Sequence, residues 1–594
     1  LPPGAVKLRG HLDGFIQKSI ARWNKGVVPY SEFAEFFRSG KQQFAVGEMW
    51  GKAVRSACLY YRYTQDPELK RIAADAVAGA LALQRPNGSI SCAPPERQPD
   101  GPDGDLWERK YVMLAMEDYC EWVEPDPRAL ESLVRQADCI MDQIGPPPKT
   151  SITDQGWSAT GIESSTLLEP FVRLWRMTGE SRFLDFARYI VYNGASKGTN
   201  LFLQALDGAP PKEMGLPYQK AYEMTSVFEG LVEYYRAAGD PKWKEAALNY
   251  FRSVGEQEIT IIGNGGGGAN IGGECWSGMA QNQSDPSIQR MMETCVGVTW
   301  MKYCGQILRL TGSASAADAI ERYAYNGLVG AMKPAGDGFS YISLLNGQKT
   351  INEGWGWQFG ELFVSCCNLS GPIGLAHIPC VAIMASREGP VVNLYEAAEA
   401  RMAAPAGGPL ALAVETDFPR SGSVAIRVEP EAKQRFTLRL RIPAWSERTA
   451  VKVNGVECAA QAGAYLALDR EWSPGDAVEI GLDMRCRALE SPHGENRGGD
   501  GRQAVLYGPV VLARDESLDP AFDRPTGGVA MDEAGYVAAE RARLAGLADG
   551  GGGGDGGGGR LAFTVPAGNG AFVMADYASA DCWQGSRICT WMPK

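Results

Sequence analysis

The sequence is poor in histidine, in long apolar segments and in excess basic charge. Only 3 His occur in 594 residues, so a Ser-His-Asp triad or a histidine-based metal site is nearly excluded by count. No run of about 18 or more apolar residues is present, and we therefore expect no membrane span. Acidic residues outnumber basic residues by 70 to 58, and no basic stripe is visible. Nucleic acid is accordingly not expected as a partner.

Cysteine is also sparse for a chain of this length. The 14 Cys are too dilute for the disulfide framework of a small secreted protein. At 594 residues the chain is too long for one core, and about two to four domains are expected. The first residue is Leu rather than Met, as after removal of a signal peptide or after trimming. The sequence favours a periplasmic or secreted location, leaves a cytoplasmic one open, and is compatible with a homodimer.

Residues 1–385 show helical periodicity with a weak internal repeat. Short polar turns near positions 65, 125, 179, 239 and 312 separate amphipathic segments, giving units of roughly 54 to 73 residues that each hold a helix pair. About six such units fit into this region, which predicts a closed α/α toroid. An open helical solenoid and an irregular helical domain remain alternatives at this stage.

The hydrophobic period changes to two after His377, which indicates strands. Phe436, Leu438, Leu440 and Ile442 alternate with polar residues, and Asn454-Gly455 is a strong hairpin signal. We predict a β-sandwich domain over residues 386–515. Residues 516–594 are expected to add further β structure, with a flexible glycine-rich loop at 550–559. The predicted fold class is multidomain α + β, with a helical barrel followed by antiparallel sandwich structure.

Four residues in the middle of the chain could hold a metal ion. Glu293 and Cys295 form a Glu-x-Cys motif, and Cys366 and Cys367 are adjacent. One carboxylate and three thiolates suit a tetrahedral zinc ion, and zinc would keep the thiols deprotonated. Three interpretations stay open from the spacing alone: buried thiols without metal, a structural zinc site, and a zinc-held reactive thiolate.

A glycine-rich loop between positions 264 and 273 ends in Glu274, two residues before Trp276. Glycines let a backbone approach a ligand closely, and an aromatic ring near a carboxylate is frequent in sugar sites. A surface carboxylate on a flexible loop is the simpler alternative. An acid near a nucleophile is the design of retaining glycosidases, here with cysteine in place of the second carboxylate.

Taken together, these motifs resemble glycoside hydrolase family 127, the β-L-arabinofuranosidase-like enzymes. The resemblance rests on Glu274 after Gly-Gly, on Glu293-Thr294-Cys295 and on Cys366-Cys367. It spans about residues 7–515 and is strongest over 215–380. The combined motif is specific, whereas each part alone is weak.

The resemblance implies an (α/α)6 barrel followed by β-sandwich structure, in agreement with the periodicity. It implies zinc on Glu293, Cys295, Cys366 and Cys367, with Cys366 as the nucleophile and Glu274 as the general acid/base. A tyrosine that orients the nucleophile in the family corresponds to Tyr341.

One departure concerns the sugar pocket. Characterised family members hold the sugar hydroxyls with histidines on barrel helices, and this chain has none in the expected helices. Carboxylates and aromatic residues occupy these regions instead. The candidate substrate-binding residues are Trp107, Glu108, Glu163, Tyr222, Glu223 and Trp276. This departure leaves the identity of the sugar open.

The predicted function is a retaining exo-glycosidase that acts on an oligosaccharide or glycoside. A furanoside such as β-L-arabinofuranose is the favoured substrate, and Zn²⁺ is the expected cofactor. One alternative is a non-catalytic carbohydrate-binding or scaffold protein with structural zinc. Another is a toroid lyase or a carboxylate-pair hydrolase that uses Glu223 or Glu229.

Overall fold

A computed structural model gives the architecture of the chain. It describes residues 1–39, 46–99, 104–158, 160–267, 274–288, 291–349, 364–492, 498–542, 561–581 and 585–594. The loop predicted at 550–559 and the part of the glycine-rich loop at 268–273 lie outside the described residues.

Helices dominate the described residues up to position 382. They are α1 His11–Ser19, α2 Tyr30–Ser39, α3 Val46–Thr64, α4 Pro67–Leu81, α5 Asp105–Trp122, α6 Pro127–Gln143, α7 Ile162–Ser165, α8 Leu168–Thr178, α9 Ser181–Tyr192, α10 Leu201–Leu206, α11 Ala221–Ala238, α12 Pro241–Gln257, α13 Met279–Asn282, α14 Thr294–Thr311, α15 Ala314–Tyr323, α16 Val329–Ala331 and α17 Cys366–Ala382.

Six of these helices form a closed inner ring. α3 packs on α5, α5 on α8, α8 on α11, α11 on α14, α14 on α17, and α17 returns to α3. Outer helices α4, α6, α9, α12 and α15 each pack on the inner helix that precedes them, and α1 packs on α17. The helix pairs therefore close into the predicted (α/α)6 barrel, and the open solenoid and the irregular helical domain are wrong.

The outer helices begin at turns that the sequence already marks. α4, α6 and α12 start with an Asp-Pro pair: the carboxylates of Asp66, Asp126 and Asp240 accept the backbone N–H two residues on, at 2.8, 2.9 and 3.2 Å. Proline at the first helical position needs no hydrogen bond there, and its fixed φ suits a helix start. Gly239 and Gly312 end inner helices with φ of 77° and 67°.

Strands dominate the described residues after position 382, and four short strands, β1 to β4, precede it. They are β1 Val6–Leu8, β2 Met292–Glu293, β3 Ile342–Ser343, β4 Asn346–Gln348, β5 Ile383–Ser386, β6 Gly389–Val392, β7 Ala398–Ala403, β8 Pro409–Thr416, β9 Ser423–Pro430, β10 Gln434–Ile442, β11 Ala450–Val453, β12 Val456–Cys458, β13 Ala464–Trp472, β14 Asp476–Gly481, β15 Cys486–Glu490, β16 Arg502–Tyr507, β17 Val510–Asp515, β18 Glu540–Arg541, β19 Ala562–Ala567, β20 Gly570–Asp576, β21 Arg587–Cys589 and β22 Met592–Pro593.

Apart from the two-stranded sheet β2-β3, these strands form two groups of sheets. The first group has a seven-stranded sheet, β1-β7-β8-β9-β14-β11-β12, and a four-stranded sheet, β13-β10-β6-β5. The second is built on the path β15-β16-β17-β20-β19-β18, to which β21 and β22 add. Pairing is antiparallel apart from β6 on β10, whose two register pairs are parallel. The predicted hairpin at Asn454-Gly455 joins β11 to β12, with φ of 50° and 80° at the turn residues.

Long-range pairs tie the regions together. β1 pairs with β7 through Val6 and Ala400, and β4 in the barrel pairs with β21 through Gly347 and Ile588. The predicted fold class is confirmed. None of the described helices is long and apolar enough to cross a membrane.

Candidate active site and metal centre

The first turns of the inner helices converge on one end of the barrel. α14 brings Cys295 and α17 brings Cys366 and Cys367, while Glu293 lies in β2 just before α14. Ser365 caps the N-terminus of α17: its hydroxyl accepts the N–H of Asn368 at 3.2 Å. Helix N-termini carry partial positive charge, so thiolates and carboxylates gathered there are stabilised.

The four predicted metal ligands meet at this point. One ligand atom from each of Glu293, Cys295, Cys366 and Cys367 lies within 4.8 Å of all the others, and all four residues are buried. The Cys367 sulfur is 3.4 Å from that of Cys295 and 3.8 Å from that of Cys366. Thiolates bound tetrahedrally to one zinc ion stand about 3.8 Å apart. The donor set therefore fits a single metal ion, as predicted.

The acid–base state of the cluster also points to a cation. Burial raises the pKa of the Cys366 thiol and of the Cys367 thiol well above the usual value, and the neighbouring Cys295 adds to both shifts. Burial likewise raises the pKa of Glu293, and the charges of Glu274 and Cys295 add to it. Four acidic groups this close cannot all ionise unaided, whereas a bound divalent ion would favour the ionised forms.

Cys295 differs from the other two cysteines. Burial acts to raise its pKa, but hydrogen bonds from Cys366 and Cys367 and the nearby Lys52 ammonium outweigh it and hold the pKa well below the usual value. The Ser370 hydroxyl lies 3.2 Å from the same sulfur. Cys295 is therefore the thiol of the cluster that most readily stays ionised.

Glu274 contacts the cluster through Tyr341. The Tyr341 hydroxyl donates a hydrogen bond to the Glu274 carboxylate and lies 3.6 Å from the Cys366 sulfur. The Lys220 ammonium holds the other carboxylate oxygen of Glu274. The main chain is fixed as well, since the N–H of Ala221 donates to the Glu274 carbonyl at 2.9 Å. Glu274 has a φ of 53°, a strained value typical of functional positions.

Three of the predicted substrate-binding residues lie on the wall of the same region. The Trp107 and Tyr222 ring centroids are 5.7 Å apart, and the Trp107 indole N–H donates to Glu48 at 2.6 Å. Glu223 lies 3.8 Å from the Lys220 ammonium, which also holds Glu274. Burial raises the pKa of Glu223 to about 7.

Glu163 is buried beside Trp107, and the two residues line one narrow cleft. Neither oxygen of its carboxylate has a hydrogen-bond partner of good geometry in the described part of the chain. Burial raises the pKa of this carboxyl group. A buried acceptor without a partner costs free energy, so a ligand hydroxyl that reached Glu163 would be bound well.

Glu108 and Trp276 have other partners. The Glu108 carboxyl accepts the N–H of Cys92 at 3.3 Å, and burial together with the charge of Asp105 raises its pKa to about 8. The buried Trp276 indole donates to the Tyr250 hydroxyl on α12 at 3.0 Å. A role for either residue in substrate binding stays a prediction.

Sequence reasoning missed three charged residues of the site: the buried Glu48 and Lys52, and the partly buried Lys220. Glu48 and Lys52 are a helical i,i+4 pair, with the ammonium and carboxylate 2.6 Å apart. Their signal in the sequence is an ion pair inside the apolar segment of α3. Lys220 is three residues before Glu223, and only the fold shows that it reaches Glu274.

Comparison with known proteins assigns the chain to a protein family. The profile of the β-L-arabinofuranosidase, GH127 catalytic domain, matches residues 16–378, and that of the GH127 middle domain matches residues 390–484. The chain belongs to glycoside hydrolase family 127. It is a glycosidase, which confirms the predicted family and enzyme class and disfavours the non-catalytic and lyase alternatives.

Relatives of this family 127 glycosidase cover nearly its full length. The non-reducing end β-L-arabinofuranosidase of Bifidobacterium longum subsp. longum is 23% identical over 523 residues, which is 79% of this chain and 75% of the relative. A GH127 β-L-arabinofuranosidase from Geobacillus stearothermophilus T6 superposes with a TM-score of 0.77 at 18% identity, covering 99% of this chain and 100% of that one.

A second solved structure, a GH127 β-arabinofuranosidase, has a TM-score of 0.80 at 18% identity and covers 100% of this chain and 97% of its own. At this level of identity the structural likeness supports the fold.

Proposed function

We propose that this glycosidase is a retaining exo-enzyme that releases a terminal furanoside such as β-L-arabinofuranose. Cys366 is the nucleophile, Glu274 the acid/base, and Glu293, Cys295, Cys366 and Cys367 hold Zn²⁺. Bound zinc would supply ionised thiolates in a buried site. The sugar class is taken from the names of the relatives.

The proposal that the anomeric configuration is retained rests on one observation. A single oxygen atom, the Tyr341 hydroxyl, contacts both the Glu274 carboxylate and the Cys366 sulfur. The carboxylate oxygen and the sulfur are therefore no farther apart than one short hydrogen bond plus one 3.6 Å contact. That limit is below the roughly 6.5 Å at which the spacing of inverting enzymes begins. This spacing supports direct attack by the Cys366 sulfur.

In the first step, the Cys366 sulfur attacks the anomeric carbon and the glycosidic C–O bond breaks. The Glu274 carboxyl gives its proton to the departing oxygen. In the second step, the Glu274 carboxylate takes a proton from water, the water oxygen attacks the anomeric carbon, and the C–S bond breaks. The thiolate is regenerated and the sugar leaves with retained configuration.

The carboxylates on the pocket wall support binding of sugar hydroxyls in place of histidines. The buried Glu163 carboxylate lines the cleft beside Trp107, and Glu223 is held beside Glu274 by Lys220. A carboxylate can accept from two adjacent hydroxyls at once. These two residues, with the Trp107 and Tyr222 rings, are the proposed contacts of the terminal sugar.

The carboxylate-pair alternative is less well supported. Glu229 is paired with the Lys302 ammonium at 2.9 Å and with the Thr299 hydroxyl at 3.1 Å. It lies on α11 almost two turns beyond Glu223, deeper in the barrel. Glu229 therefore lies farther along α11 than Glu223, the residue that shares the Lys220 ammonium with Glu274.

The deciding experiment is NMR of the first-formed product from a nitrophenyl furanoside, with metal analysis on the same protein sample. We expect the product to form with retained configuration and the protein to contain one zinc ion per chain. A product of inverted configuration would exclude Cys366 as a covalent nucleophile. Cys366→Ala is the matched variant: it should lose turnover and accumulate no glycosyl-enzyme in mass spectra.

A further inference from the structure

Lys52 is a fully buried lysine whose ammonium lies beside the metal cluster. It is on α3, which is separated from α14 in the inner ring by α17 alone, and is 0% exposed. Its nitrogen is 2.6 Å from the Glu48 carboxylate and 3.5 Å from the Cys295 sulfur. The Tyr222 ring centroid lies 4.7 Å away. The ammonium is therefore enclosed by one carboxylate, one thiol sulfur and an aromatic face.

A buried ammonium is costly unless anions surround it. Burial alone would lower the pKa of Lys52, but the charges of Cys295 and Glu48 outweigh it and hold this pKa well above the usual value. The ion pair with Glu48 at 2.6 Å places the Lys52 ammonium against the Cys295 sulfur. The Glu48 carboxylate satisfies only part of the hydrogen-bonding capacity of the Lys52 ammonium. The Cys295 sulfur accepts another N–H of that ammonium.

The contact between the Lys52 ammonium and the Cys295 sulfur matters because the proposed ligand set carries a net negative charge. Three thiolates and one carboxylate carry four negative charges, and a divalent ion cancels two of them. The remaining negative charge is buried, where it is poorly screened. Partners that donate hydrogen bonds to metal ligands are known to fix the ligand and to change metal affinity.

We propose that Lys52 is a positioning residue of the metal centre: its ammonium binds the Cys295 sulfur, holds that thiolate as a fixed ligand and offsets the negative charge of the ligand set. The inference rests on the proposed metal centre. Ser370 supports the same sulfur from α17 with its hydroxyl, so Cys295 is anchored from two helices. A ligand fixed in this way favours metal binding and does not itself need to react.

The test compares two variants that differ only at Lys52. Lys52→Met alone leaves Glu48 buried without its cation and is at risk of misfolding. Glu48→Gln therefore serves as the baseline, and Lys52→Met/Glu48→Gln removes the ammonium from it. Metal-free proteins are titrated with Zn²⁺ against a chelator, and with Co²⁺ to record the thiolate-to-metal charge-transfer band.

We expect the double variant to bind Zn²⁺ about 10- to 100-fold more weakly than Glu48→Gln. Its Co²⁺ band should move to longer wavelength, because a thiolate that loses an N–H donor is more electron-rich. Lys110→Met is the matched control: it removes another buried lysine of the inner ring, whose Nζ lies 4.4 Å from the Trp107 ring centroid. Its Zn²⁺ affinity should stay within about twofold of the wild type.

Two results would overturn the inference in different ways. Equal Zn²⁺ affinity and an unmoved Co²⁺ band in the two Glu48→Gln backgrounds would remove the role of Lys52 and leave the proposed function intact. A wild-type protein that binds neither metal would overturn both the metal centre and the inference.

Discussion

The Tyr341 hydroxyl oxygen lies 3.6 Å from the Cys366 sulfur and donates its hydrogen bond to Glu274. Tyr341 thus links the proposed nucleophile to the proposed acid/base. We expect Tyr341→Phe to lower kcat about 10- to 100-fold, because both groups lose a positioning contact. Zinc content should be unchanged, since the tyrosine side chain is not a ligand. Steady-state kinetics with metal analysis on the same sample checks this, and unchanged kcat would contradict it.

Glu274→Gln tests the acid/base role through the leaving group. Substrates whose aglycone leaves poorly should lose about 10²- to 10⁴-fold in the first step, because they need the proton. Aryl furanosides with acidic phenols should lose much less in that step, since the phenolate departs unaided. The measurement is kcat/KM across a series of aryl furanosides. An equal loss for all members of the series would argue against Glu274 as the acid.

The Glu/Cys motifs that meet in the buried cluster and the repeat turns could be predicted from the sequence because their signals are local. Glu293 and Cys295 are two residues apart, Cys366 and Cys367 are adjacent, and Asp66-Pro67 forms both the cap and the first position of its helix. Spacings of this kind can be read from the sequence without knowledge of the tertiary structure.

The contacts of Lys52 and of Trp276 could not be predicted in the same way. Lys52 meets Cys295 across 243 positions of sequence, and nothing near either residue specifies the partner. Trp276 is near Glu274 in the chain, but its indole N–H is directed to Tyr250 on an outer helix. The pairing of β1 with β7 could not be predicted either. The register between strands that are far apart in sequence is set by the whole barrel.

Metal removal should lower the thermal stability of the protein. Binding to the folded chain alone stabilises it by about 2.7 kcal/mol when free metal exceeds the Kd about a hundredfold. Without metal, the buried thiols and Glu293 must protonate or repel one another. We expect a chelator to lower Tm by several degrees and added zinc to restore it. Cys367→Ala supplies the control, since its Tm should not respond to either treatment.

Glu223 should make stability depend on pH. Its carboxyl has an ordinary pKa of 4.5 in the unfolded chain, and burial raises the pKa to about 7 in the fold, where Lys220, Glu163 and Glu274 face it. The folded state therefore binds more protons between these values, so this group's contribution falls as pH rises from about 4.5 to about 7 and is constant above. Relative to Glu223→Gln, the wild type should lose about 3 kcal/mol over that window. Paired thermal scans from pH 4.5 to 8 check the sign, and a wild-type Tm that rises with pH relative to the Tm of Glu223→Gln would contradict it.

The barrel axis beyond the active site is filled by ion pairs, and the last prediction concerns their contribution to stability. Arg173 on α8 lies 2.6 Å from Asp118 and 3.3 Å from Glu117 on α5, and Arg55 on α3 holds Asp118 from the other side at 2.7 Å. All four residues are buried. Removing one partner from such a network leaves an uncompensated buried charge.

Arg173→Met should therefore destabilise the protein by about 3–5 kcal/mol. Arg435→Met is the matched control, because Arg435 pairs with Asp469 at 2.9 Å with side chains 67% and 54% exposed. Its effect should stay below about 1 kcal/mol. Asp118 lies more than three turns beyond the start of α5, away from the helix ends that carry the metal ligands. Activity of Arg173→Met measured well below its Tm should consequently remain near that of the wild type, so that a loss of both stability and low-temperature activity would show that the network also shapes the site.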